Sequence, residues 1–551
     1  MNTTTMNGTL FARMVRNGAA NLHKNRMVVN DLNVFPIPDG DTGDNMYMTM
    51  DAGAVAVTGT GELSLEEISS KVSGGMLLGA RGNSGVILSR IFAGIAKGFL
   101  GNGVADVRAV AKAFECGVEE SYGAVAVPVE GTILTVYRDA VQYANSRICE
   151  DSTLEEYFDD FMAELRRSLD RTPELLEVLK EAGVVDSGGA GFVYIAEGMK
   201  LALDGTDLES DEDREAPSAV AVDISSFTKD SILEFGYCTE FLLRLQSSKT
   251  DVDSFDETEL KEYLGSVGES VVAVKEDSIV KIHVHTMHPG EVLNHCQKYG
   301  EFLTVKVENM MLQHHAKIAQ SSVEIKTQKP HKPYGIVTVA SGAGIKETFT
   351  SLGVDVVVDG GQSMNPSAEA FIEAFESINA DTILVFPNNS NIILTAKQAA
   401  TLYGKSDVRV IANKTVGEGY AAISMLDTSS GDTDAILAEI DEVIASVVTG
   451  TVSKASRDTE KDGVAVHSGD YIGFVGDTIY VDTPSANEAA LSLAEALHAE
   501  QYDVMLLICG KDPSPSDAER LFAELKQTYK RTEIIMIDGG QPVFDYLIIL
   551  E

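Results

Sequence analysis

The sequence predicts a multidomain protein with three successive regimes: an all-α region, an α+β middle region and an α/β C-terminal region. Three observations predict it. Apolar residues recur at helical spacing nearly throughout residues 8–204, the period shortens to two between about 235 and 307, and strands alternate with helices from Tyr334 onward. A length of 551 residues suits three or four domains, each with a buried core. The expected boundaries are a helical domain over 1–204, a linker over 205–220, a middle domain over 221–320, a linker over 321–333 and a final region over 334–551.

In the first region the helical period is carried by Phe11, Met14 and Val15, by Leu77, Leu78, Ile87 and Leu88, by Leu154, Phe158, Phe161, Met162 and Leu165, and by Leu175, Leu176, Val178 and Leu179. Helix starts are signalled by Ser64 with Glu67, by Ser152 with Glu155, and by Pro173 in a first turn after Thr172. An all-α bundle or barrel follows. Residues 205–217 form an acidic run without aromatics, which reads as a linker.

The middle region reads as strand 235–245, helix 256–264, strands 270–274 and 279–285, helix 290–299 and strand 302–307. That order, βαββαβ, is a split ferredoxin-like unit. Period-two alternation puts His283 and His285 on one face of a strand, and Cys238 lies on another strand. The three could hold Zn2+ with a fourth position open, or the histidines could be ordinary strand residues. His288, in the following loop, is a weaker candidate ligand or base.

Beyond a linker over 321–333, strands at 334–339, 354–358 and 382–386 end in the polar loops Ala340–Gly344, Asp359–Gln362 and Pro387–Ser390. This is a doubly wound parallel pattern, with loops where such folds place their sites. A linker is expected near Thr451 to Asp462. A strand over 504–509, a helix started by Ser516 with Glu519, and a last clear strand over 533–537 complete the α/β region. Asp-Gly-Gly-Gln follows a strand twice, at Asp359 and at Asp538, which hints at two related halves.

Asp and Glu number 84 against 43 Lys and Arg, a formal net charge of −41. So strong an acidic excess argues against nucleic acid or an anionic membrane as the main partner. The five cysteines are scattered without C-x-x-C pairing, and neither a signal peptide nor a long apolar span is evident. A reduced, cytoplasmic protein is expected.

The chemistry centres on the segment from Asn30 to Met46. Pro36 and Pro38 restrict the backbone, Gly40 and Gly43 free it, and Asp39 and Asp41 are close enough to share a hard cation. A calcium loop is excluded by register, because counting from Asp39 puts Asp44 where glycine is required and Met50 where a bidentate Glu is required. A helix is expected from Met46, its amide end facing an anion. Two further glycine clusters precede apolar helices: Gly79 to Gly85, with Arg81, Gly82, Asn83, Ser84 and Gly85, and Val185 to Gly191, with Asp186, Gly188 and Gly189. Neither is a Walker A loop or a Rossmann fingerprint.

The run Leu32 to Gly43 together with Gly79 to Gly85 resembles the ATP-binding domain of the dihydroxyacetone kinase family. The whole chain, including Gly236 to Glu240 and His283 to Thr286, resembles the ATP-binding subunit of bacterial two-component fatty acid kinases. The resemblance implies an eight-helix barrel with ATP in its mouth and aspartates holding Mg2+. Asp39 and Asp41 match that pattern, Asn33 stands near the third ligand with altered spacing, and Asp44 is an unexpected extra carboxylate. It also implies that Asn45, Ser84 and the glycine amides hold phosphates, and that Asp186 lies near the ribose or base. Zn2+ would be held by Cys238, His283 and His285. The C-terminal region is similar in pattern to the DegV-like fatty acid carriers, so a separate carrier of that type is the implied partner. The implied activity is ATP-dependent phosphorylation of carrier-bound fatty acid to an acyl phosphate. Alternatives are a kinase of a small ketone or polyol, or a non-catalytic metal-loaded scaffold; a homodimer is left open.

Overall fold

A computed structural model describes residues 3–33, 40–59, 63–125, 127–208, 237–252, 255, 257–276, 278–309, 331–362 and 364–551. Asp39 and the linker stretches 209–236 and 310–330 fall outside these residues. The chain forms two compact units, one of residues 1–212 with 330–551, the other of residues 213–329.

The first part of the larger unit is helical. Its helices are α1 (Gly8–Asn30), α2 (Thr42–Val55), α3 (Leu65–Gly79), α4 (Gly82–Gly98), α5 (Val107–Gly123), α6 (Ile133–Ser146), α7 (Leu154–Leu175), α8 (Glu177–Ala182) and α9 (Ser187–Leu203). One core joins them, with Phe114, Tyr137, Phe158, Phe161 and Phe192 meeting edge to face; the Phe114 and Phe161 ring centres are 5.4 Å apart. Small residues let backbones approach closely. A Cβ on Gly94 of α4 would lie 2.3 Å from the Cys116 carbonyl of α5, and one on Gly198 of α9 would lie 2.3 Å from the Asn17 carbonyl of α1.

Local punctuation of the helical part departs from the expected positions in three places, the first being α2, which starts at Thr42 and not at Met46 because Asn30 caps it from across the loop. The capping box of α7 is Thr153 with Glu156, one residue later than expected, because Ser152 instead bonds Cys149. Pro173 lies in the last turns of α7 and starts no helix. Its missing N–H is compensated, since the Thr172 hydroxyl donates to the Leu169 carbonyl at 2.7 Å. The box of Ser64 with Glu67 stands as expected. A pair of three-residue strands, Thr5–Asn7 with Val104–Asp106, is too short to show in the sequence.

The C-terminal part of this unit is α/β. Its first sheet is parallel, with strands in the order Asp407–Val410, Ala380–Phe386, Lys332–Ala340, Val356–Asp359. The second is mixed, in the order Thr478–Thr483, Tyr471–Val475, Val448–Lys454, Phe544–Leu550, Val504–Cys509, Glu533–Asp538, with only the last pair parallel. The expected linker at 451–462 is instead mostly strand: Val448–Lys454 is nearly all buried, and Thr459–Lys461 forms a hairpin with Val464–Val466. Its Thr and Ser residues pair inside a sheet, which composition alone disguises. The helix expected at Ser516 begins at Pro515, with Ser514 accepting the Asp517 amide at 3.2 Å. The strand Phe544–Leu550 extends the chain beyond the last strand read from sequence and lies at the centre of the mixed sheet.

The second unit runs strand Tyr237–Leu245, helix Glu257–Val267, strands Glu269–Glu276 and Ile279–Thr286, helix Pro289–Cys296 and strand Gly300–Asn309. Its four strands are antiparallel neighbours, with Tyr237–Leu245 between Ile279–Thr286 and Gly300–Asn309. Leu243, Val280, Ile282, Val284 and Cys296 fill its core.

The close approach of α4 and α5 gives a test. Gly94→Ala should destabilise the protein by about 1–3 kcal/mol through overpacking, whereas Gly74→Ala, on an open helical face, should be neutral or stabilise by up to about 1 kcal/mol. Equal melting temperatures for the two variants would contradict this packing.

Candidate active site

Three helix starts meet at one end of the helical bundle. At α2, Asp41 is the residue before the first turn, and its own side chain makes no capping bond. The cap comes from Asn30, at the end of α1: its Oδ1 accepts the Gly43 amide at 2.7 Å and the Asp44 amide at 3.3 Å. Asn30 was not singled out in the sequence, because a cap donated across a loop leaves no local signature. Its Nδ2 holds the Asp44 carboxylate at 2.7 Å, and Arg26 Nε pairs with the same carboxylate at 3.1 Å. Asp44 thus has a structural partner on each oxygen. A Cβ on Gly43 would lie 2.2 Å from the Arg26 carbonyl, so only glycine fits against α1 there.

The start of α9 is also capped. Asp186 Oδ2 accepts the Gly189 amide at 2.6 Å, and its own amide donates to Thr172 Oγ1 at 3.0 Å. Burial pushes the Asp186 carboxyl up to about 6, against amide bonds that favour its charged form. Ser187 Oγ donates to Thr42 Oγ1 at 3.4 Å, so the starts of α9 and α2 touch.

The start of α4 differs, because Arg81 precedes it and no side chain caps it. Gly82 has φ +57°, and a Cβ there would meet the buried Asn45 Nδ2 at 2.7 Å. Gly85 packs on Thr49 in the same way, and Arg81 N donates to Thr49 Oγ1 at 3.3 Å. The first-turn amides of Gly82, Asn83 and Ser84 are therefore the uncapped amide cluster among these three starts, suited to an anion.

The C-terminal α/β region covers this end of the bundle, which the sequence did not foretell. A turn closed by Gly361 N donating to Met364 O delivers Asn365, and Pro366 and Ser367 then start the helix Ala368–Glu376. Arg81 Nη1 donates to the Asn365 carbonyl at 2.9 Å, and Asn365 Nδ2 donates to Asp41 Oδ2. Burial pulls the Arg81 guanidinium below its ordinary value, an effect opposed by Glu369. Asn83 Nδ2 donates to Asn391 Oδ1 at 3.3 Å, and Arg457 donates to the Asn33 carbonyl. Farther along α4, Arg90 Nε donates to Gln398 Oε1 at 3.0 Å, and Gln398 Nε2 donates to the Leu77 carbonyl at 2.7 Å. Polar loops do gather at the ends of the parallel strands: Asn389 Nδ2 donates to Gln362 Oε1 at 2.8 Å, and Asn388 Nδ2 donates to Thr338 Oγ1 at 2.9 Å.

The structure thus brings together Asp41, Asn45, Gly82, Asn83, Ser84 and Gly85, with Gly188 and Gly189 at the adjoining start of α9. Asn33 lies on the same loop, with its carbonyl engaged by Arg457. Asp39 lies outside the described residues. In the second unit, strand pairing sets Cys238 opposite His285 and Glu240 opposite His283; the side chains of Cys238, His283 and His285 also lie outside the described part. His288 starts the helix Pro289–Cys296, its amide bonding Thr286 Oγ1 at 3.1 Å. Among the described residues, His467, Asp470 and Asp482 cluster within 4.8 Å, but the cluster is exposed at His467, which already pairs with Asp482 at 2.7 Å.

Three family models cover most of the chain: the DAK2 domain over 36–201, the middle domain of the FakA-like fatty acid kinase family over 234–317, and the C-terminal domain of the same FakA-like family over 335–551. Protein YloV of Bacillus subtilis is 39% identical over 560 residues, spanning 100% of both chains. The chain belongs to the FakA-like fatty acid kinase family. Its DAK2 domain is the helical region that carries the Asp41 and Gly82 loops. Among solved structures, the fatty acid binding protein DegV from Bacillus subtilis matches 40% of this chain and 99% of its own, at 12% identity and TM-score 0.32. The dihydroxyacetone kinase from C. freundii in complex with AMP-PNP and Mg2+ matches 36% of this chain and 35% of its own, at 18% identity and TM-score 0.28. Among the described residues, no helix is long and apolar enough to cross a membrane.

The raised Asp186 carboxyl has a signed consequence. The folded state binds that proton more tightly than the unfolded chain does. Its stabilising contribution is therefore full below about pH 4 and is lost as pH rises through about 6. Asn can accept the Gly189 amide without ionising. The melting temperature of Asp186→Asn relative to the parent should rise by a few degrees between pH 4.5 and pH 7.5; a pH-independent difference would contradict the assignment.

Proposed function

We propose that this protein phosphorylates the carboxylate of a fatty acid held by a separate DegV-like carrier protein, using ATP and giving an acyl phosphate and ADP. One observation carries the reading: the loop bearing Asp41 adjoins the uncapped glycine start of α4 at the covered end of a DAK2 helical domain. Carboxylate beside free amides is the donor set that a metal-bound polyphosphate requires. Asp39 and Asp41 would hold a magnesium ion, with Asn33 as a neighbour on the same loop, and the ion would supply positive charge to offset that of the phosphates.

Asn45 and the amides of Gly82, Asn83 and Ser84 hold the phosphates, Gly85 keeps α4 close to Thr49, and Asp186, with Gly188 and Gly189, borders the ribose or base. A carboxylate oxygen of the fatty acid attacks the γ-phosphorus, and the bond to the ADP oxygen breaks. No proton need leave the nucleophile, so the protein's task is alignment and charge complementarity. The described residues at this end of the bundle are polar, whereas burial of a long alkyl chain is worth about 0.8 kcal/mol per methylene, which is why the acyl chain is assigned to a carrier. With a net charge of −41, this chain fits a carrier with a basic docking face.

We read the helices as the barrel of this kinase class and the second unit as a split ferredoxin-like domain. The register that pairs Cys238 with His285, two residues from His283, supports a Zn2+ site there. A cytoplasmic location fits the reduced cysteines.

With carrier-loaded fatty acid and saturating Mg2+, Asp41→Asn should lower turnover by at least about a hundredfold while leaving the melting temperature within a few degrees. Near-normal turnover would refute the metal role. Elemental analysis should find about one zinc per chain, lost in Cys238→Ser and in His283→Ala with His285→Ala; full zinc in both variants would place any zinc elsewhere.

A further inference from the structure

Asn365 is 2% exposed, and its side chain is only half satisfied. Nδ2 donates to the Asp41 carboxylate, while Oδ1 is buried without a hydrogen-bond partner among the described residues. The orientation of the amide is fixed by chemistry, because a carboxylate accepts, so the nitrogen faces Asp41 and the oxygen is the atom left without a partner among the described residues. A buried acceptor left unpaired is destabilising, and beside a carboxylate it calls for a partner. That partner must be a donor or a cation. A phosphate oxygen, itself an acceptor, is excluded.

We propose that Asn365, supplied by the C-terminal α/β region, is a positioning residue of the site on the helical region: Nδ2 orients Asp41, and Oδ1 is a hard-oxygen acceptor for the divalent ion that Asp41 binds or for a water on that ion. The backbone supports this placement. The Asn365 carbonyl is tied to Arg81 at 2.9 Å, and Ala368 N donates to the Ala80 carbonyl at 3.3 Å, so the segment is docked by main-chain bonds that no Asn365 side-chain change removes. A Cβ on Gly82 would meet Asn365 Nδ2 at 3.3 Å as well as Asn45 Nδ2 at 2.7 Å, so glycine there is what admits an amide from each region. The C-terminal region would then complete the site on the helical region. This rests on the reading that Asp41 binds the metal.

The test measures Mn2+ binding to the full-length chain by electron paramagnetic resonance, with AMP-PNP present, and AMP-PNP binding without metal by calorimetry. Asn365→Leu, close in size and without polar atoms, should weaken Mn2+ binding about tenfold or more and leave metal-free nucleotide affinity within about twofold. Asn365→Asp, which restores a hard oxygen, should recover most of the Mn2+ affinity. Gln398→Ala, which loosens the same inter-region contact away from the aspartate loop, should leave Mn2+ affinity unchanged. If Asn365→Leu binds Mn2+ like the parent while Asp41→Asn does not, this inference fails and the metal reading survives. Should Asp41→Asn also bind like the parent, the metal reading itself fails and takes the inference with it. Equal weakening in Asn365→Leu and Gln398→Ala would assign the effect to domain docking and overturn the positioning role.

Discussion

One side-chain amide links the two regions of the larger unit at the place where charge matters most. Asn365 reaches from the α/β region to the Asp41 carboxylate, and its carbonyl is gripped by Arg81, the residue that precedes the uncapped helix α4. Arg81 is partly buried, and its removal would leave the Asn365 carbonyl without that donor. The end of the bundle is therefore built by both regions, with the glycines of α2 and α4 as the residues that let them close. Gly43 lies against the Arg26 carbonyl and Gly82 against Asn45 and Asn365.

The three helix starts show how the fold divides labour. Asn30 accepts the Gly43 and Asp44 amides of α2 and Asp186 accepts the Gly189 amide of α9, whereas the amides of α4 have no capping side chain. Two capped starts rigidify the loops, and the uncapped one retains amides for an anion. Asp44, which stands out in the sequence as an unexpected extra carboxylate, is the anchor that joins α2 to Arg26 and Asn30 of α1.

Much of the architecture was legible, for identifiable reasons. Helical periodicity is strong where one face packs on the aromatic core of Phe114, Phe158 and Phe161, and the strands Ala380–Phe386 and Val504–Cys509 are runs of buried aliphatics. Capping signals were legible to within a residue or two: Thr153 and Ser514 do what Ser152 and Ser516 were expected to do. Less legible were segments whose composition contradicts their burial, such as Val448–Lys454, whose Thr and Ser residues lie inside a mixed sheet. At the site, the glycine-rich and acidic loops declared themselves through residue types that only a polar turn tolerates. Asn30, Asn365 and Gln398 did not, because an amide that acts across 13, 324 or 321 residues of chain leaves no pattern near its own position.

The central claim is that the site transfers a phosphoryl group to a carboxylate. The most direct measurement is trapping with hydroxylamine during turnover of the full-length chain with ATP and a carrier loaded with fatty acid, with the product identified by mass spectrometry. Phosphorylation of the carboxylate predicts an acyl hydroxamate that forms in step with ADP and requires the carrier. ATP turnover with fatty acid recovered unchanged and no hydroxamate formed would contradict it.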